Sequence, residues 1–298
     1  MSVPAAQTAG GASTDTVALE GLVVRTHPLL RKAVHNRSLI LGLVIMAVLV
    51  AIALLAPWIE RYDPLKMDLA NGLAPPSAAH WLGTDQLGRD IWSRLVWAAR
   101  FDLAVGFLVV IIPITVGIIV GTVAGYYRGL TDTVLSRIID VVMAFPFYVL
   151  IIALVFMVGK GVRGIFIAFA LTDWVVYART VRSTTLVVGR LDYIAAARLG
   201  GLSDRRILLR HVLPNTVTQA IVYAMSDIII VILAVVTLGY LGLGIQPPQP
   251  DWGSMIYDGQ LFITTRWYMS TIPGLCVVIT GVGLSLISDG LADVLRPE

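Results

Sequence analysis

The chain has 298 residues, of which 57% are hydrophobic and 14% charged, with a mean hydropathy of +0.83. Soluble domains carry about 25% charged residues, so this composition excludes an ordinary soluble domain and indicates a membrane protein. The net charge of +3 and the pI near 9.1 do not mark a nucleic-acid binder, because the basic residues gather in loops beside apolar runs, where they set topology.

Residues 1–24 are rich in Ala, Gly, Ser and Thr without periodicity and read as a disordered cytoplasmic tail. They are not a secretory signal, because the first apolar run arrives only after Arg37. The remainder, 25–298, reads as one transmembrane domain. Arg25, Arg31, Lys32 and Arg37 precede an apolar run over 38–59, about the 20 residues a bilayer requires, so this helix starts inside. The polar stretch that follows falls on the outer side and contains HWLGTDQLGRD over residues 80–90. Ile91, Trp92 and Leu95 then recur at helical spacing, which predicts an amphipathic surface helix up to Arg100.

A second span is predicted over 103–126. Gly117, Gly121 and Gly125 recur every fourth residue and put a small-residue stripe on one face, where another helix can approach closely. Pro113 removes a backbone donor and predicts a kink. A third span covers 138–158, with Asp140 near its inner end and Pro146 within it. The Gly159-Lys160-Gly161 turn is not a phosphate loop: position 154 is Leu, no Ser or Thr follows Lys160, and no strand precedes it. A short fourth span, 164–178, is interrupted by Asp173 and Trp174.

Residues 190–215 form a polar loop with five arginines and His211. Ala195, Ala196 and Ala197 favour helix, Gly200 and Gly201 end it, Ser203 or Asp204 caps a second short helix, and Leu213-Pro214 closes the unit as helix, turn, helix. A fifth span follows over 217–238, with Tyr223 and Asp227 four residues apart on one face. A central Asp costs roughly 2.5 to 3.5 kcal/mol to insert, so Asp227 faces water or a partner: it lines a translocation path, or it is a brace held by a neighbouring helix. Residues 239–253, with Gln246, Pro247, Pro248, Asp251 and Trp252, are too rich in Pro and Gly for regular helix and read as an outer loop of fixed shape. The sixth span is 269–287. With both ends inside, fourteen of the 22 Lys and Arg lie on the inner side and eight on the outer, in keeping with the positive-inside bias. The fold class is thus all-α, six transmembrane helices. Cys276, the single cysteine, lies in an apolar run and offers no disulfide framework or metal cluster.

Three stretches carry a resemblance. Ala195-Ala196-Ala197, Gly201 and Leu213-Pro214 resemble the EAA loop of binding-protein-dependent ABC importer permeases. Residues 80–90 match the HxxGTDxxGRD signature of the peptide/nickel branch of that family, and residues 239–253 are similar to the same branch. The resemblance implies a type I importer bundle in the bacterial cytoplasmic membrane. It also implies a sister permease, two ATP-binding subunits that hold ATP and Mg, and an extracytoplasmic substrate-binding protein. No cofactor, metal or catalytic residue is implied on this chain. In family terms the Ala195 to Pro214 loop couples to the ATPases, and the 239–253 loop reaches toward the binding protein or is a rigid connector. Two departures stand out: Ala195 occupies the position of the motif's glutamate, and Ala234 and Val235 stand where relatives usually show an acid.

Two other classes fit less well. An intramembrane hydrolase needs a GxGD pair, a HExxH helix or a serine nucleophile with a membrane histidine, and none is present. An ion-coupled secondary transporter would use Asp140, Asp173 and Asp227, but the three matching stretches and the lack of inverted repeats favour the importer subunit.

Overall fold

The computed structural model describes residues 28–295; the expected tail, 1–24, lies outside them. The described residues are helical, and their one strand-like feature is an isolated bridge between Thr84 and Asp90. In chain order the helices are α1 Pro28–His35, α2 Arg37–Ile59, α3 Ile91–Val109, α4 Ile111–Tyr127, α5 Gly129–Met143, α6 Phe147–Val158, α7 Val162–Thr172, α8 Trp174–Val188, α9 Asp192–Leu199, α10 Asp204–Ile207, α11 Leu213–Tyr240, α12 Trp252–Gln260 and α13 Tyr268–Leu295.

Five helical segments are long and apolar enough to cross a membrane: Arg37–Ile59, Ile91–Tyr127, Val162–Val188, Asp204–Tyr240 and Tyr268–Val294. A sixth crossing is made by α5 and α6, which meet at 88°. Its two ends lie at opposite ends of the bundle. Gly129 follows the end of α4, whereas Gly161, just beyond α6, donates its N–H to the Leu243 carbonyl at the far end of α11 (3.1 Å). The bundle therefore has a loop end, carrying α9 and α10, and a cap end, carrying residues 60–90 and α12.

The expected third span, 138–158, is thus not a single helix. Phe145 precedes a proline, which disfavours helical backbone, and Pro146 has no N–H to continue the ladder; Pro146 accordingly takes an extended ψ of 127°. The expected interruption at Asp173 is present as the step from α7 to α8, whereas other polar residues fail to end their helices. Ile91–Tyr127 spans 37 residues, about 55 Å of helix. Ile91, Leu95, Ala98 and Ala99 are buried in the main core, so the segment expected as a surface helix is the protruding, covered end of a span. The break near Pro113 sits at Val110, where α3 passes to α4. Pro113 leaves the Val109 carbonyl without its usual i+4 donor. α8 continues to Val188, ten residues past the expected end, and the Thr180 and Thr184 hydroxyls are satisfied within it by the carbonyls four residues earlier (3.0 and 3.1 Å). Arg182 pairs with Asp132 of α5 rather than ending the helix. Nor does Pro214 stop its helix. A π-turn over Leu208–Val212 leads directly into α11, and such a widened turn absorbs the missing donor. α13 extends well beyond the expected residue 287 at its loop end.

α4 packs closely on α8. A methyl group on Gly121 would stand 2.5 Å from the Ala178 carbonyl oxygen, and one on Gly125 2.7 Å from Thr185 Cβ. One on Gly117 would overlap Tyr177. The glycine stripe thus sets an intrachain helix contact in which no side chain fits between the two backbones.

Candidate functional site

At the loop end, α9 closes with two linked backbone bonds, Gly201 N–H to Arg198 O (3.0 Å) and Leu202 N–H to Ala197 O (3.2 Å). That pair defines a Schellman motif, which requires left-handed backbone at its penultimate residue; Gly201 has φ +76°. A Cβ there would meet nothing within 4 Å, so the glycine is needed for its backbone conformation and not for space. Ser203 is the N-cap residue of α10, although its side chain makes no capping bond. The Asp204 carboxylate instead accepts from the Tyr126 hydroxyl at the end of α4 (2.6 Å). The Arg198 guanidinium lies over the same tyrosine ring, 5.1 Å from its centre.

A small separate core holds this unit: Tyr126, Val188, Ile194, Ile207 and Val212, with Ala197, Leu202 and Leu208 against it. Leu213 and Pro214 carry the chain into α11, and the Asn215 amide donates to the His211 carbonyl (2.7 Å) and to the Tyr193 hydroxyl (3.2 Å). The helix-turn-helix is therefore rigid and docked on the transmembrane bundle. Its outer face is not covered. Ala195 and Ala196 are exposed, Leu199 is 91% exposed, and Leu209 is exposed as well. Ser203, Arg205, Arg206, Leu209 and Arg210 line an open cleft of about 350 Å³. Apolar side chains held out on a rigid frame amid arginines have the character of a protein-docking surface.

The cap end is the reverse. Asp90 caps α3, accepting from the Ser93 N–H (2.8 Å) and hydroxyl (2.7 Å), and its other oxygen meets His80 Nδ1 at 2.9 Å. Asp85 accepts from the N–H of Leu87 and Arg89 (2.9 and 3.0 Å) and from Arg89 Nε (2.7 Å), with Arg94 Nε at 3.5 Å. Arg89 also reaches Asp258 of α12 (3.6 Å). Burial pushes the Asp258 carboxyl above its usual range, against the pull of Arg89 and Arg94. Gly88, at φ +73°, has no room for a Cβ against the Asp68 carbonyl. The signature over residues 80–90 is a structural knot, with its Thr, Asp and Arg side chains buried.

Within the 239–253 loop, Gln246, Pro247 and Pro248 are exposed and line an open cleft with Tyr257 and Asp258. Asp251 and Trp252 are buried, which fits the rigid-connector alternative for this part of the loop. Trp252 is 1% exposed. Its backbone N–H donates to Asp102 Oδ2 (2.8 Å) and its indole N–H to the Leu95 carbonyl (3.3 Å). Asp251 is buried and caps α12 through the Ser254 N–H (2.9 Å). Burial also raises the Asp251 carboxyl. Pairing the loop with α3 decides this, and no local pattern displays it.

In the middle of the bundle, Asp227 is 2% exposed. It accepts from the Tyr177 hydroxyl of α8 (2.7 Å) and from Tyr223 at 3.5 Å. The carboxylate is therefore held between helices, not open to an aqueous path in this conformation. Of the two readings open from sequence, this geometry supports the brace. Asp173, at the break between α7 and α8, is buried beside this group. The signal available for it was a carboxylate at the centre of an apolar run.

Residues 114–298 match the family of binding-protein-dependent transport system inner membrane components. Residues 29–76 match the N-terminal transmembrane domain of oligopeptide transport permease C. The chain is 37% identical to a dipeptide transport system permease protein of Alkalihalophilus pseudofirmus, covering 88% of this chain and 86% of that one. It is 39% identical to a glutathione transport system permease protein of Pectobacterium atrosepticum, over 84% and 83% of the two chains. To a di/tripeptide transport system permease protein of Pseudomonas aeruginosa it is 36% identical, over 89% of each. With that identity over most of its length and six crossings in one helical bundle, the chain belongs to the binding-protein-dependent transport family as a multi-pass inner-membrane permease of the ABC class.

Proposed function

We propose that this permease is one of two transmembrane subunits of an ATP-driven importer of short peptides. A sister permease completes the pore, two ATP-binding subunits hold ATP and Mg, and an extracytoplasmic binding protein delivers the substrate. In this reading both termini and the loop end face the cytoplasm, and the cap end meets the binding protein through Gln246, Pro247 and Pro248. The chain does no covalent chemistry and binds no cofactor. Its own work is mechanical.

The observation that carries the proposal is the α9–α10 unit, which presents Leu199 and Leu209 outward from a frame locked to α4 and α11. Docked in an ATPase subunit, that frame transmits displacement because its core, the Tyr126–Asp204 bond and the continuous run from α10 into α11 leave no slack joint. Closure of the ATPases then biases the bundle between inward- and outward-facing arrangements. The peptide assignment rests on the relatives named for dipeptide and di/tripeptide transport. The test is ATP-dependent accumulation of radiolabelled dialanine in vesicles holding the complete reconstituted complex. Accumulation only with hydrolysable ATP and binding protein supports the proposal; uptake by this chain alone overturns it.

A further inference from the structure

Two acids meet in the middle of the bundle with no base between them. Asp173, at the α7–α8 break, and Asp227 of α11 are both buried, and their carboxyls are hydrogen-bonded to each other. An ionised carboxylate only accepts, so a bond between two carboxyls requires a proton on one of them. Neither acid forms an ion pair with a described Lys, Arg or His. The two cations of α8 are turned elsewhere, Arg179 toward Met143 Sδ (3.5 Å) and Arg182 onto Asp132 of α5. Two anions here would therefore be uncompensated, which burial penalises heavily.

The surroundings tell the two acids apart. Asp227 accepts from the Tyr177 hydroxyl of α8 (2.7 Å) and from that of Tyr223 on its own helix (3.5 Å), and the two rings meet edge to face, 5.0 Å between centres. Asp173 has no such donors. Its Oδ2 is buried without a partner among the described residues, and the adjacent Thr172 hydroxyl is spent on the Ala168 carbonyl (2.8 Å). A bare carbonyl oxygen of a neutral acid costs less to bury than a bare oxygen of an anion. The ionisable groups that face the pair are these two tyrosines. From the helices packed around them, α4 sets Gly117 against Tyr177 and α13 meets α11 through Ser288 on Ser226 (2.6 Å).

We propose that Asp173 and Asp227 hold a single proton, carried by Asp173 and donated to Asp227, and that this proton latches the α7–α8 break to α11. The pair then bears one negative charge, spread over a carboxylate with three donors. Because α11 continues without a break from α10, the latch sits on the helix that leads to the exposed loop end. Removing the proton sets two anions against each other where the dielectric is low. Parting α8 from α11 into water has a matching result: both acids ionise and the one proton passes to solvent. The direction of the pH dependence follows. Aspartates of an unfolded chain ionise near about pH 3.9, so above that the folded chain holds one proton more than the unfolded one. The latch therefore weakens as pH rises, by about tenfold in the folding equilibrium per pH unit, until the proton is lost. The inference depends on no particular substrate.

The test compares the full chain, purified in detergent, with its Asp173→Asn variant, which keeps the size and a neutral donor to Asp227 but carries no titrating proton. Two readouts are taken that a merely structural role would not move. The infrared difference spectrum at neutral pH, unsubstituted chain minus variant, should show one carboxylic C=O stretch that shifts in D2O. Between about pH 5 and about pH 7, stability of the unsubstituted chain should fall more steeply than that of the variant, the gap widening by about tenfold in the folding equilibrium per pH unit. Absence of the carboxylic band overturns the proposal, and so do parallel pH profiles. Asp173→Ser, which also places a neutral donor there, serves should the Asn chain not fold. Failure of both to fold overturns the proposal as well, because a neutral donor at position 173 is what it requires.

Discussion

The two ends of this bundle use the same residue types to opposite purposes. At the cap end, Asp85, Arg89, Asp90 and Arg94 are buried and bound to one another or to the backbone. At the loop end, Arg205, Arg206 and Arg210 are largely out in solvent beside exposed Leu199 and Leu209. Buried ionic groups with several partners resist displacement, since moving one strands the others. Exposed charges and leucines on a small rigid frame cost the chain little and are free to be covered by another protein. One end is an anchor and the other a handle, and a motif is assigned to either by where its side chains point.

Substitutions at the two ends and between them should differ in size of effect. Asp85→Ala should have the largest effect on the chain itself, because it leaves Arg89 and Arg94 buried without their shared partner. A loss of about 3 to 5 kcal/mol is expected, read as failure to recover folded protein in detergent. Recovery at wild-type yield would show that the cap is not an anchor. Gly121→Leu comes next. Its side chain has no space against the Ala178 backbone, and overpacking of this kind costs about 1 to 3 kcal/mol. Because α8 is in the same chain, the effect should appear as a lowered thermal midpoint of the isolated subunit; an unchanged midpoint would mean that α4 and α8 separate freely.

Gly201→Asp should cost less, about 1 kcal/mol for left-handed backbone in a residue with a Cβ. The chain should fold, yet the Schellman turn that aims α9 is strained. ATP hydrolysis per peptide imported should therefore rise in reconstituted vesicles. An unaltered ratio would argue that the turn does not transmit force. Ala195→Glu should be the mildest, within about 0.5 kcal/mol as for other exposed sites. It restores the family's carboxylate, and the affinity of the ATPase subunit, measured by titration, should stay the same or tighten. Weaker binding would mean that Ala195 packs directly in the interface.

The spans were legible because hydropathy over a window of about 20 residues reports transfer into hydrocarbon directly. The helix-turn-helix at 190–215 was legible for a different reason: Gly201 and the residues around it write a local backbone motif. What could not be read were features decided by distant partners. Trp252 looks like a loop aromatic until Asp102 and Leu95, some 150 residues away, bind its two N–H groups. Residues 91–100 have an amphipathic pattern, and only the covering loop makes their polar face interior. Pro146 and Pro214 are both prolines in apolar helical sequence, yet one accompanies an 88° bend and the other sits in a helix that continues through a π-turn. Proline states which hydrogen bond is lost, whereas the surroundings decide how the backbone recovers it.

The claim that the loop end is a handle is tested most directly at Leu199, which is exposed, touches none of the small core and is not part of the Schellman bonds. Leu199→Asp should leave the thermal midpoint of the isolated subunit unchanged. Co-purification of the ATPase subunit with the variant chain should nevertheless be lost, and with it ATP-driven uptake. Undiminished co-purification and uptake, with the variant folded, would contradict the account.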